Sequence, residues 1–386
     1  MARTYLSKRV TDLKPSGIRK FFDIAATMKE VISLGIGEPD FPSPAPIIQA
    51  GIRALNDNQT HYTANRGILP LRQALSTHLQ TLYGVHYNPE DEIVATVGGS
   101  EALLLAISAL LDPGDEVLLP TPCFVSYQGV IQMAGGVSVE VPSRMENNFV
   151  PDPADLEKAI TPRTKAILIN FPCNPTGAVA DRGTMLEIAK LAEKHDLIVI
   201  SDEIYDRLVY GVEHVCFPAL PGMRERTILI GGFSKDYAMT GWRIGFVCAP
   251  VALLDAVARI HQYVIMTAPT ISQYGALEGL TCCEDFVQHM LKEYDRRRRL
   301  VVDGFNFIGL PTFEPRGAFY AFPKVDVTGM DDETFSERLL HEKHVAVVPG
   351  SAFGPGGEGF VRCSYATAYD QLEEALDRIH QFVKEL

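Results

Sequence analysis

One lysine stands where an amine can do covalent chemistry. Lys235 lies in the run Gly232-Phe233-Ser234-Lys235-Asp236-Tyr237, just past an apolar stretch, Thr227 to Ile230, that reads as a buried strand. A hydroxyl, Ser234, precedes it, and Arg243 follows eight residues on in Thr240-Gly241-Trp242-Arg243. The small residues around it let the backbone approach a ligand closely. Such a lysine has three readings: a solvated loop charge, a phosphate contact, or an amine that forms a Schiff base with an aldehyde cofactor. The third makes a demand. With an ordinary pKa of about 10.4, only about one lysine in 2,500 is neutral at pH 7, so a reactive amine needs its pKa lowered. Burial and a neighbouring cation such as Arg243 would do that.

Other groups with chemical capacity also follow strands. Asn174 lies beyond Lys165 to Asn170, while Asp202 and Tyr205 lie beyond Leu197 to Ser201. Asp202 also reads as a helix N-cap. Glu92 to Val97 reads as a strand, Gly98-Gly99-Ser100-Glu101 as a tight turn, and Ala102 to Leu111 as a helix. A strand, a small-residue turn and a helix N-terminus together present free backbone N–H groups to an anion. The spacing is not that of a P-loop. Gly35-Ile36-Gly37-Glu38-Pro39 is a Gly/Pro-dense loop, either a plain turn cluster or backbone laid against a ligand.

The elements behind these residues alternate. Strands and helices succeed one another through the middle of the chain, predicting an α/β fold with a mostly parallel sheet sandwiched by helices. Ligands of such sheets sit outside the carboxyl ends of the strands, where these residues gather. A long helix over Glu284 to Phe307 then leads into a smaller α+β unit. We expect residues 1–45 to supply an N-terminal arm and part of the small domain, 46–283 the large domain, and 284–386 the small C-terminal domain.

Composition narrows the function classes. The 386 residues carry 35 basic and 48 acidic side chains, a net charge of −13 that argues against a nucleic-acid or acidic-membrane partner. No apolar run is long enough to span a membrane, and the first ten residues lack the pattern of a secretory signal, so a cytoplasmic location is expected. Seven cysteines without a C-x-x-C pair and ten histidines without metal-ligand spacing point to reduced thiols and no metal.

Asn174-Pro175-Thr176-Gly177, Asp202-Glu203-Ile204-Tyr205, Ser234-Lys235 and Arg243 occur in the order seen in class I/II aminotransferases, which the chain resembles from Ser33 to the Arg362 strand. These are pyridoxal-phosphate (PLP) enzymes of fold type I. The resemblance implies that Lys235 carries the cofactor and shuttles the substrate proton, and that Asp202 pairs with the pyridine N–H. Asn174 and Tyr205 would bond the cofactor's phenolic oxygen. Ser234, Arg243 and the Gly99-Ser100-Glu101 turn would hold its phosphate, and Phe124 would stack on its ring. Arg362 would clamp the substrate α-carboxylate, with the Gly37 backbone opposite. Tyr62 would reach the phosphate of a neighbouring subunit, implying a homodimer with shared sites.

By the same resemblance the activity is transfer of an amino group from an L-amino acid to a 2-oxo acid such as 2-oxoglutarate, by a ping-pong route. Relatives specific for aspartate read its distal carboxylate with a basic residue, in one bacterial branch a lysine where Ser100 stands. Ser100 brings no charge, which favours an aromatic or bulky apolar donor. Arg66, in the Tyr62 loop, keeps an aspartate or dicarboxylate specificity open if it reaches into a neighbour's site. A PLP-dependent C–S lyase on the same fold is the other alternative.

Overall fold

The computed structural model describes residues 5–13, 28 and 30–386. Most of the expected N-terminal arm, residues 1 to about 30, lies outside them. A short strand β1 (Ile32–Ser33) opens the rest. The central sheet holds β2 (Ile93–Thr96), β3 (Glu116–Thr121), β4 (Val137–Pro142), β5 (Thr164–Asn170), β6 (Ile198–Asp202), β7 (Thr227–Gly232) and β8 (Gly245–Cys248). Their order is β2-β8-β7-β6-β5-β3-β4. Strands β3 to β7 pair in parallel, and β8 runs antiparallel to both β7 and β2.

Each side of this sheet has its own apolar layer because side chains alternate along a strand. Ile167, Ile169 and Val199 face a core shared with the helix Arg182–Lys194. Ala166, Leu168 and Ile200 face the opposite core, with the helices Gly98–Leu110 and Val251–Val264. The near-continuous apolar runs of these strands reflect burial on both faces. Beyond the helix Glu284–Ile308 come β9 (Tyr320–Ala321), β10 (Val345–Ala346), β11 (Val348–Pro349) and β12 (Val361–Ser364). A separate core joins Met290, Tyr294, Val301 and Phe305 to Leu339, Leu372 and Phe382, and takes in Ile32 and Leu34 from the start of the chain. Strand β1 reaches that core by pairing in parallel with β10.

Two local readings change. The expected Gly98–Glu101 turn is the first turn of the helix itself, which begins at Gly98. Gly98 takes a φ of +72°, so the chain swings from strand to helix without separate turn residues. The four-residue β8 was not anticipated. It follows β7 with only a loop and a single 3-10 turn, Thr240–Trp242, between, and returns antiparallel.

Phe322, just past β9, packs into the core of the Arg182–Lys194 helix: its ring stacks on Phe360 at 5.2 Å with planes 3° apart and meets Phe149 edge-on at 5.4 Å. Phe322→Ala should destabilise the fold by about 3–5 kcal/mol, read as a lower urea midpoint at unchanged m-value. A loss below about 1 kcal/mol would show that this aromatic cluster is not structural.

Candidate active site

Strand direction brings the carboxyl ends of β5, β6 and β7 to one edge, where Asn170 pairs with Asp202 and Asp202 with Ile230. Above them opens a cavity of about 430 Å³, of the size that takes a small molecule. Gly37, Gly99, Ser100, Phe124, Asn174, Asp202, Tyr205, Ser234, Lys235, Arg243 and Arg362 all line it. Residues spread over more than 300 positions of chain therefore share one chamber.

Lys235 extends from the loop after β7 and donates to the Gly37 carbonyl at 2.6 Å. Its amine is pushed down to about 8, first by burial and next by the positive charge of Arg362. Glu38 opposes that shift and Arg243 adds to it, so the cation that matters most is Arg362 rather than the expected Arg243. Asp202, at the end of β6, is pushed up to about 6 by burial. The hydroxyl of Tyr127, donating at 2.7 Å, and the N–H of Ile204, at 3.2 Å, hold it down. At neutral pH the carboxylate is therefore mostly ionised, with a lowered amine in the same chamber. Asp202 accepts the Ile204 N–H, but a turn rather than a helix follows it.

The anion cradle lies on the other wall. Arg243, at a φ of +55°, donates to the Thr240 carbonyl at 2.9 Å. A Cβ on Gly98 would sit 2.9 Å from its Nη2, so the guanidinium lies against the N-terminus of the helix Gly98–Leu110. Positive helix end, guanidinium and the Ser234 hydroxyl together suit a phosphate. Glu101 departs from its expected part. Its carboxylate accepts from the Val97 N–H and meets His261 Nδ1 at 2.7 Å inside the protein. A second negative charge is thereby kept out of the cradle, to which Glu101 brings only its place in the first helical turn.

Arg362, on β12, donates to Asn174 Oδ1 at 2.9 Å and to the Gly35 carbonyl at 2.5 Å. Its Nε is buried without a hydrogen-bond partner among the described residues, an unmet donor beside the cavity. Phe124 meets Tyr127 edge-on at 5.6 Å. Tyr62 is not part of the chamber; it is 79% exposed in a surface cleft with His61, Ile265 and Pro269. Arg66 is tied down within its own chain, bonding the Asp91 carbonyl at 2.6 Å and Asp255 at 2.5 Å. An aldehyde cofactor with a ring nitrogen and a phosphate fits this set: a lowered amine, a buried carboxylate, an anion cradle and an aromatic wall.

Five polar lining residues carried no signal as site groups in the chain: Glu38, Tyr127, Asn170, Thr240 and Tyr320. Tyr127 sits one helical turn from Phe124, the one hint that it shares that wall.

The family described as aminotransferase class I and II matches residues 29–379. A putative aminotransferase, YugH, of Bacillus subtilis is 51% identical over 98% of both chains. An aspartate aminotransferase of Pyrococcus abyssi is 49% identical, again over 98% of both. The crystal structure of an aromatic aminotransferase from Pyrococcus horikoshii superposes with a TM-score of 0.91 at 47% identity, covering 95% of this chain and 99% of that one. With the lysine, carboxylate, cradle and arginine in place, the chain belongs to the class I and II aminotransferases and is a pyridoxal-phosphate-dependent transaminase acting on amino and 2-oxo acids.

Proposed function

We propose that the preferred donor is an aromatic or otherwise bulky apolar L-amino acid and the acceptor a 2-oxo acid such as 2-oxoglutarate. The observation that carries this reading is the charge inventory of the chamber. Its cationic lining residues are Lys235, Arg243 and Arg362, and each has a task. The space left over is bounded by Ile36, Leu103, Phe124 and Ile204. Aspartate's second carboxylate would meet no free cation there, and Arg66 is held by Asp255. The second reading, aspartate as donor, draws on the name of the Pyrococcus abyssi relative.

Bound in the chamber, pyridoxal phosphate supplies an aldehyde carbon for an amine and a ring that withdraws electrons from the substrate Cα. The residues of the chain do the rest. Arg362, Asn174 and the Gly37 backbone orient the α-carboxylate. Lys235 Nζ would take the proton from the substrate Cα and deliver it to the carbon that was the cofactor's aldehyde. Asp202 keeps a proton on the ring nitrogen, which its charge stabilises. Tyr205 and Asn174 face the phenolic oxygen, Phe124 covers the ring, and Gly99, Ser100, Ser234 and Arg243 hold the phosphate. Tyr62 completes the site of a second copy in a homodimer. The exposure of Tyr62, Tyr263, Ile265 and Met266 on one side of the molecule supports that assembly. Seven free cysteines suit the reducing cytoplasm.

Three experiments test the reading. With 2-oxoglutarate as acceptor, kcat/KM for phenylalanine or tyrosine should exceed that for aspartate by about tenfold or more; equal values would favour the dicarboxylate reading. Only a neutral amine adds to an aldehyde, so capture of pyridoxal phosphate by the apoprotein should accelerate with pH through a midpoint of about 8 and vanish in Lys235→Ala. A midpoint near the ordinary 10.5 would mean that Lys235 is not the reacting amine. Arg362→Ala should raise KM for the amino acid roughly 30-fold, a loss of about 2 kcal/mol, with cofactor occupancy kept. Loss of the cofactor instead would place that arginine wrongly.

A further inference from the structure

We propose that Tyr320 is a positioning residue for the reaction, whose hydroxyl commits the hydroxyl of Tyr205 to donate into the chamber. The proposal rests on the reading above that Tyr205 faces the cofactor's phenolic oxygen. The two tyrosine oxygens lie 2.8 Å apart, and both residues are buried, at 3% and 1% exposure. Burial raises both phenols above their ordinary range, so each keeps its proton. Two protons then serve one shared hydrogen bond, and the question is which hydroxyl donates.

The surroundings of Tyr320 decide it. Among the described residues neither hydroxyl makes a second hydrogen bond. A Cβ on Gly37 would collide with the Tyr320 oxygen, so a CH₂ group closes that side. The nearby Gly37 carbonyl is taken by Lys235. The face of the Tyr320 ring lies 4.6 Å from the Arg362 guanidinium, which offers donors only. Among the described residues, the oxygen of Tyr205 is the acceptor that Tyr320 holds at hydrogen-bond distance. If Tyr320 donates, the proton of Tyr205 is free to point at an anionic oxygen in the chamber. Donation into Tyr205 also polarises it and strengthens its own outgoing bond. The Tyr320 ring serves Arg362 separately, so the hydroxyl and the ring have separable effects.

The test is a pH titration of the visible absorbance of the lysine-linked chromophore in the holoenzyme. Tyr205→Phe should move the midpoint upward, because the deprotonated chromophore loses a donor. Tyr320→Phe should move it the same way by a smaller amount, roughly 0.3 pH unit. The double variant should titrate like Tyr205→Phe alone, since Tyr320 acts through Tyr205. KM for the amino acid should stay within about twofold in Tyr320→Phe, because the ring against Arg362 is retained. If Tyr205→Phe leaves the midpoint in place, the role given to Tyr205 falls and this proposal with it. If Tyr205→Phe shifts it while Tyr320→Phe does not, or if the two shifts add in full, the role of Tyr205 stands and that of Tyr320 is refuted. Thermal unfolding of the Tyr320→Phe apoprotein within a few degrees of the parent would show that the fold is not the cause.

Discussion

The site depends on bringing an amine closer to its neutral form in a place that also gathers anions. Burial and the charge of Arg362 hold Lys235 at about 8 instead of 10.5, a shift toward the neutral form of about 3 kcal/mol. The arginine proposed to bind a carboxylate is thus also the cation that does most to lower the amine. On that reading, an incoming amino acid would bring its negative charge to Arg362 and weaken that repulsion. Asp202 works in the opposite sense. Burial raises it to about 6, and the hydroxyl of Tyr127 opposes that rise, which helps it serve the ring nitrogen on the proposed reading.

Such electrostatics need rigid placement, and the fold gives it by close approach. Parallel strands deliver Asn170, Asp202 and the Lys235 loop to one edge, but Arg362 comes from a different sheet. The two are joined at Gly177, which follows Asn174 by three residues. A Cβ there would lie 2.5 Å from Pro315 and 2.7 Å from the Tyr320 carbonyl, at a φ of +73°. Only glycine allows this contact without strain. It sets Asn174 beside Arg362 and Tyr320 beside Tyr205, so the chamber spans a tight seam rather than a loose cleft.

How much of this is legible in the chain follows from the range of each interaction. Lys235, Asp202 and Asn174 each follow an apolar strand, so the rhythm of the strands locates them. Helices such as Leu69–Tyr83 and Tyr369–Lys384 are long enough to declare both of their ends. Strand β8 was not read from the chain, and nothing in the two residues of β9 marks Tyr320 as a site group. Glu101 misled for another reason. Its position at a helix start suits an anion cradle, but its side chain turns to His261, 160 residues further on. Arg66 was open to a partner's site until Asp255 and the Asp91 carbonyl claimed it.

These cases share a physical cause. The cofactor-facing groups are dictated by the chemistry they perform, so their types and spacing survive as a pattern along the chain. The groups that steer them, Tyr127 on Asp202, Tyr320 on Tyr205 and His261 on Glu101, are chosen by whatever partner the fold brings within about 3 Å. A phenol or imidazole in these places has many bland uses, and only the position of its partner tells them apart. On the proposed reading, the donor side chain meets this second class of contact together with the apolar wall of Ile36, Leu103 and Phe124. The reaction type is therefore written in the motif residues, whereas specificity is written in packing that appears only once the chain has folded.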